Sequence, residues 1–176
     1  MILVFPDESW EKAAMDYRQS YLDAGEAHIN GSSGMERYPV YTDWLGQIRR
    51  LREAQSDGQT PATTFFAVEP PCALVVGTIQ VRHRLTDELR RSGGNIGYGV
   101  RPDQRGKGFA VQMLRLALPF CREIGLDRVL LDCRADNLAS QQVILRCGGV
   151  FDSEDWVEDD WGRPERICRF WIATEQ

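Results

Sequence analysis

The sequence predicts an α+β domain: antiparallel strands first, then a β-α-β-α run with one parallel crossover, then a closing hairpin. Three observations predict it. Apolar residues recur at steps of three and four in some stretches and in short β-branched runs in others. Glycine and proline mark the changes between them. A loop with glycines and a lysine joins a strand to a long helical pattern in mid-chain.

Met1 to Phe5 is an apolar run stopped by Pro6 and predicts a strand. Asp7 or Ser9 then caps a helix that carries Trp10, Ala13, Ala14, Tyr17, Tyr21 and Leu22 on one face. Gly25 to Gly34 is rich in glycine and serine, too polar for the core, and predicts a mobile surface loop. Tyr41, Trp44, Leu45, Ile48 and Leu51 mark a second amphipathic helix with Arg49, Arg50 and Arg52 toward water. Residues 55–61 are punctuation rather than a domain linker. Thr63 to Val68 and Ala73 to Val81 form an antiparallel hairpin around a Glu-Pro-Pro turn. Thr86 to Ser92 is polar, and Gly93-Gly94 introduces a third strand, Asn95 to Val100.

A long helical pattern follows from about Gly108, with Phe109, Met113, Leu114, Ala117, Leu118, Cys121 and Ile124 on one stripe. Pro119 inside it removes one ladder bond and predicts a kink or a frayed end. Gly125 ends this helix and Arg128 to Cys133 reads as a buried strand. Asn137 to Cys147 is a shorter helix stopped by Gly148-Gly149, and Val150 to Val157 with Arg166 to Ala173 close the chain as two strands.

The chain has 176 residues, which predicts a single domain over 1–176. A net charge of −5 argues against nucleic acid as a partner, because polyanions select basic surfaces. The longest apolar runs, Met1 to Phe5 and Cys72 to Val76, are five residues each, far short of the ~18 that a membrane span needs. MetIleLeuValPheProAspGlu has neither the basic start nor the cleavage site of a secretory signal, so the expected location is cytoplasmic. Five cysteines without a C-x-x-C pair, Cys72, Cys121, Cys133, Cys147 and Cys168, read as core or near-core thiols. With only His28 and His83 available as imidazoles, no metal is expected.

Chemistry concentrates in residues 96–110, IleGlyTyrGlyValArgProAspGlnArgGlyLysGlyPheAla. A strand enters a loop with Gly106 and Gly108, and a helix starts there. The first N–H groups of a helix lack intrahelical partners and carry partial positive charge. Glycines let several of them converge on one anion, and Arg105 and Lys107 add charge. This is a pyrophosphate cradle. A P-loop is excluded because Gly106-Lys107 is followed by Gly108 rather than Ser or Thr. A dinucleotide fingerprint fails because Val111 stands where Gly or Ala is required.

Arg105-x-x-Gly108-x-Ala110 matches an (Arg/Gln)-x-x-Gly-x-(Gly/Ala) signature, with Asn137-Leu-Ala-Ser140 opening the next helix. In this setting the segment resembles the acetyl-CoA loop of the GNAT N-acetyltransferase superfamily, and the element order resembles that family from about Thr63 to Ala173. The resemblance implies a mixed, mostly antiparallel sheet with a central parallel β-α-β crossover and helices on both faces. It implies acetyl-CoA as co-substrate, direct acetyl transfer to an amine, and a strand 96–100 splayed from its parallel neighbour by the pantetheine arm. Gly97 and Gly99 suit a bulge that would open the sheet there. By resemblance, the Tyr98 N–H polarises the thioester carbonyl, Gly99 and Val100 border the arm, and Arg105, Gly106, Lys107, Gly108, Phe109 and Ala110 hold the pyrophosphate. Asn137 and Ser140 match positions that contact the cofactor arm; both are also helix-capping residue types.

The amine and the proton path stay open. A lysine-like amine of pKa ~10.4 is about 0.1% neutral near pH 7.4, a handicap of roughly 4 kcal/mol, whereas an α-amine of ~7.8 loses well under 1. Glu69, His83, Glu88 and the Tyr98 hydroxyl are base candidates, each with a structural or solvated alternative. Many relatives carry a tyrosine four residues after the serine as the acid for the departing thiolate; here that position is Ile144, and Cys147 reads as helix-end packing. A thiol of pKa ~8.5 leaves tolerably as thiolate, so the acid brings a limited gain. Asp152, Glu154, Asp155, Glu158, Asp159 and Asp160 either steer a cationic amine or solvate the last hairpin. Trp156, Trp161 and Trp171 near them line a pocket or pack. The expected partners are acetyl-CoA and an amine acceptor, with the chain as a monomer or homodimer. A CoA-binding module without turnover is the alternative.

Overall fold

The computed structural model describes residues 1–54, 59–70, 73–159 and 162–175. In chain order it runs β1 (Ile2–Val4), α1 (Glu11–Asp23), α2 (Tyr41–Glu53), β2 (Ala62–Glu69), β3 (Leu74–Arg82), α3 (Asp87–Arg91), β4 (Ile96–Val100), α4 (Phe109–Glu123), β5 (Arg128–Arg134), α5 (Leu138–Arg146), β6 (Val150–Glu158) and β7 (Pro164–Ala173). Cys72, Asp160, Trp161 and most of the 55–61 punctuation lie outside the described residues.

Two antiparallel sheets form, in the orders β1-β2-β3-β4 and β5-β7-β6. Strand β2 shows why helices cover both faces of the first. Its Phe66 and Val68 face Ala14, Tyr17 and Tyr21 of α1 and Tyr41, Trp44, Leu45 and Ile48 of α2. Its Phe65 and Ala67 face Met113, Leu114, Ala117, Leu118 and Cys121 of α4. A strand buried on both sides reads as an unbroken apolar run, as Phe65 to Val68 does. The α4 core continues under the second sheet through Val129, Leu131, Phe170, Ile172 and Ile144 of α5.

Helix ends follow local chemistry. The Asp7 carboxylate accepts from the Ser9 N–H at 2.9 Å before α1. Gly125, at φ +84°, ends α4: its N–H bonds the Arg122 carbonyl and that of Leu126 bonds the Cys121 carbonyl, both at 2.9 Å. Cys121, Cys147 and Cys168 are buried and Cys133 is half-buried.

Four expectations need revision. Residues 25–34 form no detached surface loop: Ile29 and Ser32 are buried, the Trp44 indole N–H donates to the Ser32 carbonyl at 2.7 Å, and the Thr78 hydroxyl donates to the Asn30 carbonyl at 3.0 Å. Side chains of the core satisfy this polar backbone, which hydropathy alone does not reveal. No bulge lies in β4, whose register against β3 is continuous; the bulges fall at Ala67/Val68 and Phe151/Ser153. Helix α4 runs unbroken through Pro119, which sits on its exposed side, where water can take up the freed carbonyl. The polar segment 86–92 contains α3, capped by the Thr86 hydroxyl accepting from the Leu89 N–H at 3.2 Å.

The crossover through α4 does not build a parallel ladder: among the described residues both sheets are wholly antiparallel. The sheets are joined just before β4, where the Asn95 N–H donates to the Leu130 carbonyl at 2.7 Å and the Leu130 N–H to the Asn95 side-chain oxygen at 2.9 Å. Beyond this junction β4 and β5 make no ladder with each other.

Candidate active site

The free edge of β4 follows from its register. The Arg101 N–H donates to the Val76 carbonyl at 2.9 Å, and Val100 and Tyr98 oppose Gly77 and Ile79. Antiparallel alternation then turns the backbone of Gly97, Gly99 and Arg101 toward β3, and the N–H groups of Tyr98 and Val100 toward the gap before β5. The Val100 carbonyl is taken by Arg105 Nε at 3.1 Å, which leaves its N–H for a ligand.

The next segment is a row of donors. Among the described residues no hydrogen bond is donated by the backbone N–H groups of residues 106–111; the first helical bond runs from Gln112 to the Gly108 carbonyl at 3.3 Å. Gly106 and Gly108 hold φ of +77° and +79°, and an added Cβ at either would meet nothing within 4 Å. Both glycines serve backbone conformation in an open place. Phe109 and Ala110 are half-buried at the start of α4, and Lys107 Nζ donates to the Gln104 side-chain oxygen at 2.7 Å. This donor set fits an anion as large as a diphosphate. Arg105 does not simply add charge to it: its guanidinium pairs with both Glu26 oxygens, at 2.6 and 2.7 Å.

On the α5 side of the gap the Tyr98 hydroxyl meets Ser140 Oγ at 2.8 Å. Burial pushes its pKa well above the ordinary tyrosine value, which makes it a poor base. Asn137 caps α5, its side-chain oxygen accepting from the Ser140 N–H at 3.0 Å. Ile144 is fully buried in the core, so this position packs.

The opposite side of β4 is roofed by residues 25–34, and this explains the glycines at 31 and 99. A Cβ on Gly31 would stand 2.6 Å from the Tyr98 Cα, and one on Gly99 would stand 2.6 Å from the Asn30 carbonyl oxygen and 2.9 Å from the Tyr21 hydroxyl. Glycines in a strand signal close backbone approach as well as bulges, and approach is the cause at Gly99, whereas a Cβ on Gly97 would meet only ordinary contacts, 3.7 Å from Gly31. Beside the roof lies a cavity of about 520 Å³ lined by Leu51, Ala62, Gln80, Arg82, Thr86 and Glu88, among others. Gln80 opposes Gly97 in the ladder, and Arg82 Nη2 lies 4.0 Å from where a Gly97 Cβ would stand. The cavity therefore lies on the roof side of the sheet, reaching β4 only through Gln80 and Arg82 near Gly97.

The other base candidates separate. Glu69 ends β2 opposite Leu74, 3.9 Å from the Met1 amino nitrogen and beyond the end of β4. His83 bonds the Thr63 hydroxyl at 2.9 Å beside the Phe120 ring. Only Glu88, exposed on α3, borders the cavity. The acidic hairpin is largely paired within itself and with β7: Glu154 to Arg166 at 2.9 Å, Asp159 to Arg163 at 2.7 Å, and Asp155 to Arg169. Trp156 is exposed and Trp171 lies under Arg128 at 4.3 Å. The residues that sequence reasoning missed are Glu26, Asn30 and Gly31; the glycines at 31, 97 and 99 were the available signal.

Burial and the nearby Arg52 charge lower the His83 pKa below the ordinary histidine value. The unfolded chain then binds that proton more readily, so His83 costs stability as pH falls through its unfolded value of about 6.5. His83→Gln is expected to flatten the decline of Tm between about pH 7.5 and pH 5.5 in thermal melts, relative to the unmodified chain.

Among the described residues no helix is long and apolar enough to cross a membrane, and no group of three or more His, Cys, Asp or Glu is placed to hold a metal. Comparison with solved structures finds the same fold in proteins of low identity. RimJ of Mycobacterium smegmatis, in complex with CoA-disulfide, superposes with a TM-score of 0.71 at 18% identity, covering 98% of this chain and 81% of that one. RimL, an alpha-N-protein acetyltransferase in complex with coenzyme A, gives 0.70 at 16%, covering 97% and 92%. A point mutant of spermidine N-acetyltransferase SpeG from Vibrio cholerae gives 0.66 at 15%, covering 99% and 95%. A search of curated proteins finds no match. The profile of the acetyltransferase (GNAT) domain matches residues 18–150, from the middle of α1 to the start of β6. With that match across most of the chain, on a fold whose α4 begins in a row of free amides beside an open strand edge, the chain belongs to the GNAT family of acetyl-CoA-dependent acetyltransferases.

Proposed function

We propose that this chain transfers the acetyl group of acetyl-CoA directly to a primary amine of a small molecule or a protein. The observation that carries this reading is the row of unbonded amides at residues 106–111, next to the gap between β4 and β5. The amides of Gly106, Lys107, Gly108, Phe109 and Ala110 hold the diphosphate, and the Val100 N–H pairs with the pantetheine arm alongside Gly99. Asn137 and Ser140 border the same gap from α5. Acetyl-CoA supplies an acyl group activated as a thioester. The Tyr98 N–H, fixed by the β3–β4 ladder, is aimed at the carbonyl that gains negative charge during attack.

The amine enters on the other side of β4, through the cavity lined by Gln80, Arg82 and Glu88. Two carboxylates line it, Asp87 and Glu88, and Glu88 is the base candidate that the sequence named; it takes the proton directly or through water. An α-amine of pKa ~7.8 needs little help from such a base near neutral pH, whereas an aliphatic amine of ~10.4 needs it. RimL acts on a protein α-amine and SpeG on spermidine, and a cavity of this size admits either kind of terminus. A CoA-binding module without turnover is the second reading, favoured by buried Ile144 at the position where many relatives carry a tyrosine.

Release of free thiol from acetyl-CoA, followed across a panel of N-terminal peptides, polyamines and lysine-like amines, tests the proposal. At least one amine is expected to raise the rate about tenfold above the amine-free background, with a rate that rises as pH favours the neutral amine. Tight cofactor binding without turnover on any amine establishes the module instead.

A further inference from the structure

Arg105 joins four pieces of the molecule. Its guanidinium grips both oxygens of Glu26 in the roof loop, at 2.6 and 2.7 Å. Its Nε holds the Val100 carbonyl at the end of β4, at 3.1 Å. Its charge lies over the Tyr21 ring of α1, 5.7 Å from the centroid. Its own backbone leads into the free amides that begin at Gly106. Tyr21 continues the connection: its hydroxyl meets that of Tyr17 at 3.2 Å, Tyr17 meets Thr78 at 3.1 Å, and Thr78 holds the Asn30 carbonyl at 3.0 Å, directly over Gly99. The roof is thus tied to the cofactor loop at Glu26 and to the sheet at Asn30.

We propose that Glu26 and Arg105 are a positioning pair, a latch that fixes the residue 25–34 roof over β4 relative to the cofactor loop and so sets how the amine is presented to the acetyl group. The inference rests on the transferase reading above. Stability does not account for the pair. Both side chains are well exposed, 48% for Arg105 and 36% for Glu26, and ion pairs of that exposure contribute little. The bidentate geometry gives orientation instead. Glu26 belongs to the roof, so breaking the latch disturbs the amine side of β4 and leaves the amides of residues 106–111 where they are. A guanidinium that served mainly as a diphosphate ligand would act on the cofactor side alone.

A double-mutant cycle on the full chain separates the two. Glu26→Gln, Arg105→Gln and the double variant are assayed for acetyl-CoA affinity by calorimetry and for kcat and the amine KM by thiol release. The latch predicts that Glu26→Gln raises the amine KM about fivefold or more with acetyl-CoA affinity within about twofold of the unmodified chain. It also predicts that the double variant has an amine KM no worse than Arg105→Gln alone. Amine KM values that stay within twofold in Glu26→Gln, or effects that multiply in the double variant, overturn the proposal. So does an Arg105→Gln variant that loses cofactor affinity and nothing else. Hydrogen exchange of residues 25–34 reads the latch without turnover: Glu26→Gln is expected to speed it about threefold, and unchanged exchange overturns the latch. If the unmodified chain binds acetyl-CoA but acetylates no amine, the transferase reading fails, and exchange alone decides whether the roof is latched.

Discussion

Gly108→Asp is expected to raise the dissociation constant for acetyl-CoA about a hundredfold or more. Two effects add. Gly108 holds φ +79°, where a side-chain-bearing residue costs about 1 kcal/mol or slightly more. The new carboxylate also stands at the start of α4 among the N–H groups of residues 106–111, competes for them, and repels the diphosphate. Two unit charges about 5 Å apart repel by roughly 1–3 kcal/mol between the water and protein-surface limits. The total of about 2–4 kcal/mol corresponds to roughly a hundredfold in affinity. Gly108→Ala isolates the backbone part, because nothing lies within 4 Å of the added Cβ, and is expected to weaken binding by about tenfold at most. Calorimetry with acetyl-CoA checks both. An Asp variant within threefold of the unmodified chain removes the assignment of the cradle.

Gly94→Ala is expected to destabilise the fold by about 3 kcal/mol or more, a fall in Tm of roughly 6–12 °C for a chain of this size. Gly94 has φ +57°, and a Cβ there would stand 2.9 Å from the Leu130 carbonyl carbon and closer still to its oxygen. Backbone cannot step aside as a flexible side chain can. Leu130 is also the backbone partner of Asn95 where the segment leading into β4 bonds to β5. The turn is clamped further by Arg82, which donates to the Gly93 and Gly94 carbonyls at 2.7 and 3.2 Å, and by the Asp132 carboxylate, which accepts from the Gly93 N–H at 2.5 Å. Burial pushes the Asp132 pKa up, while that amide and the neighbouring arginines pull it down. Gly25→Ala is the control, with φ +73° and nothing within 4 Å, at an expected cost of about 1 kcal/mol. Thermal melts compare the pair. Equal shifts would mean that the junction yields without loss.

The loop proposed to hold the cofactor was legible because its signals are local. Gly106 and Gly108 are needed for positive φ within a few residues of each other, and the stripe from Phe109 to Ile124 announces the helix whose first amides stay free. Helix ends at Gly125 and Gly148 are local for the same reason. The acceptor side was not legible. Glu26 and Arg105 are 79 residues apart, and no periodicity links them. The 25–34 segment looks like solvent-exposed chain because its composition is polar, yet Trp44 of α2 and Thr78 and Gln80 of β3 reach into it.

By itself, then, the sequence determined the order and type of nearly every element, the glycine loop proposed as the phosphate cradle and the family, since each depends on backbone preferences and periodicities confined to short stretches. Only the tertiary structure decided which strand edge stays open, why residues 31 and 99 are glycines, and that Arg105 pairs with the roof. Those outcomes depend on which distant backbones approach one another, and close approach is a property of packing that no single stretch of chain encodes.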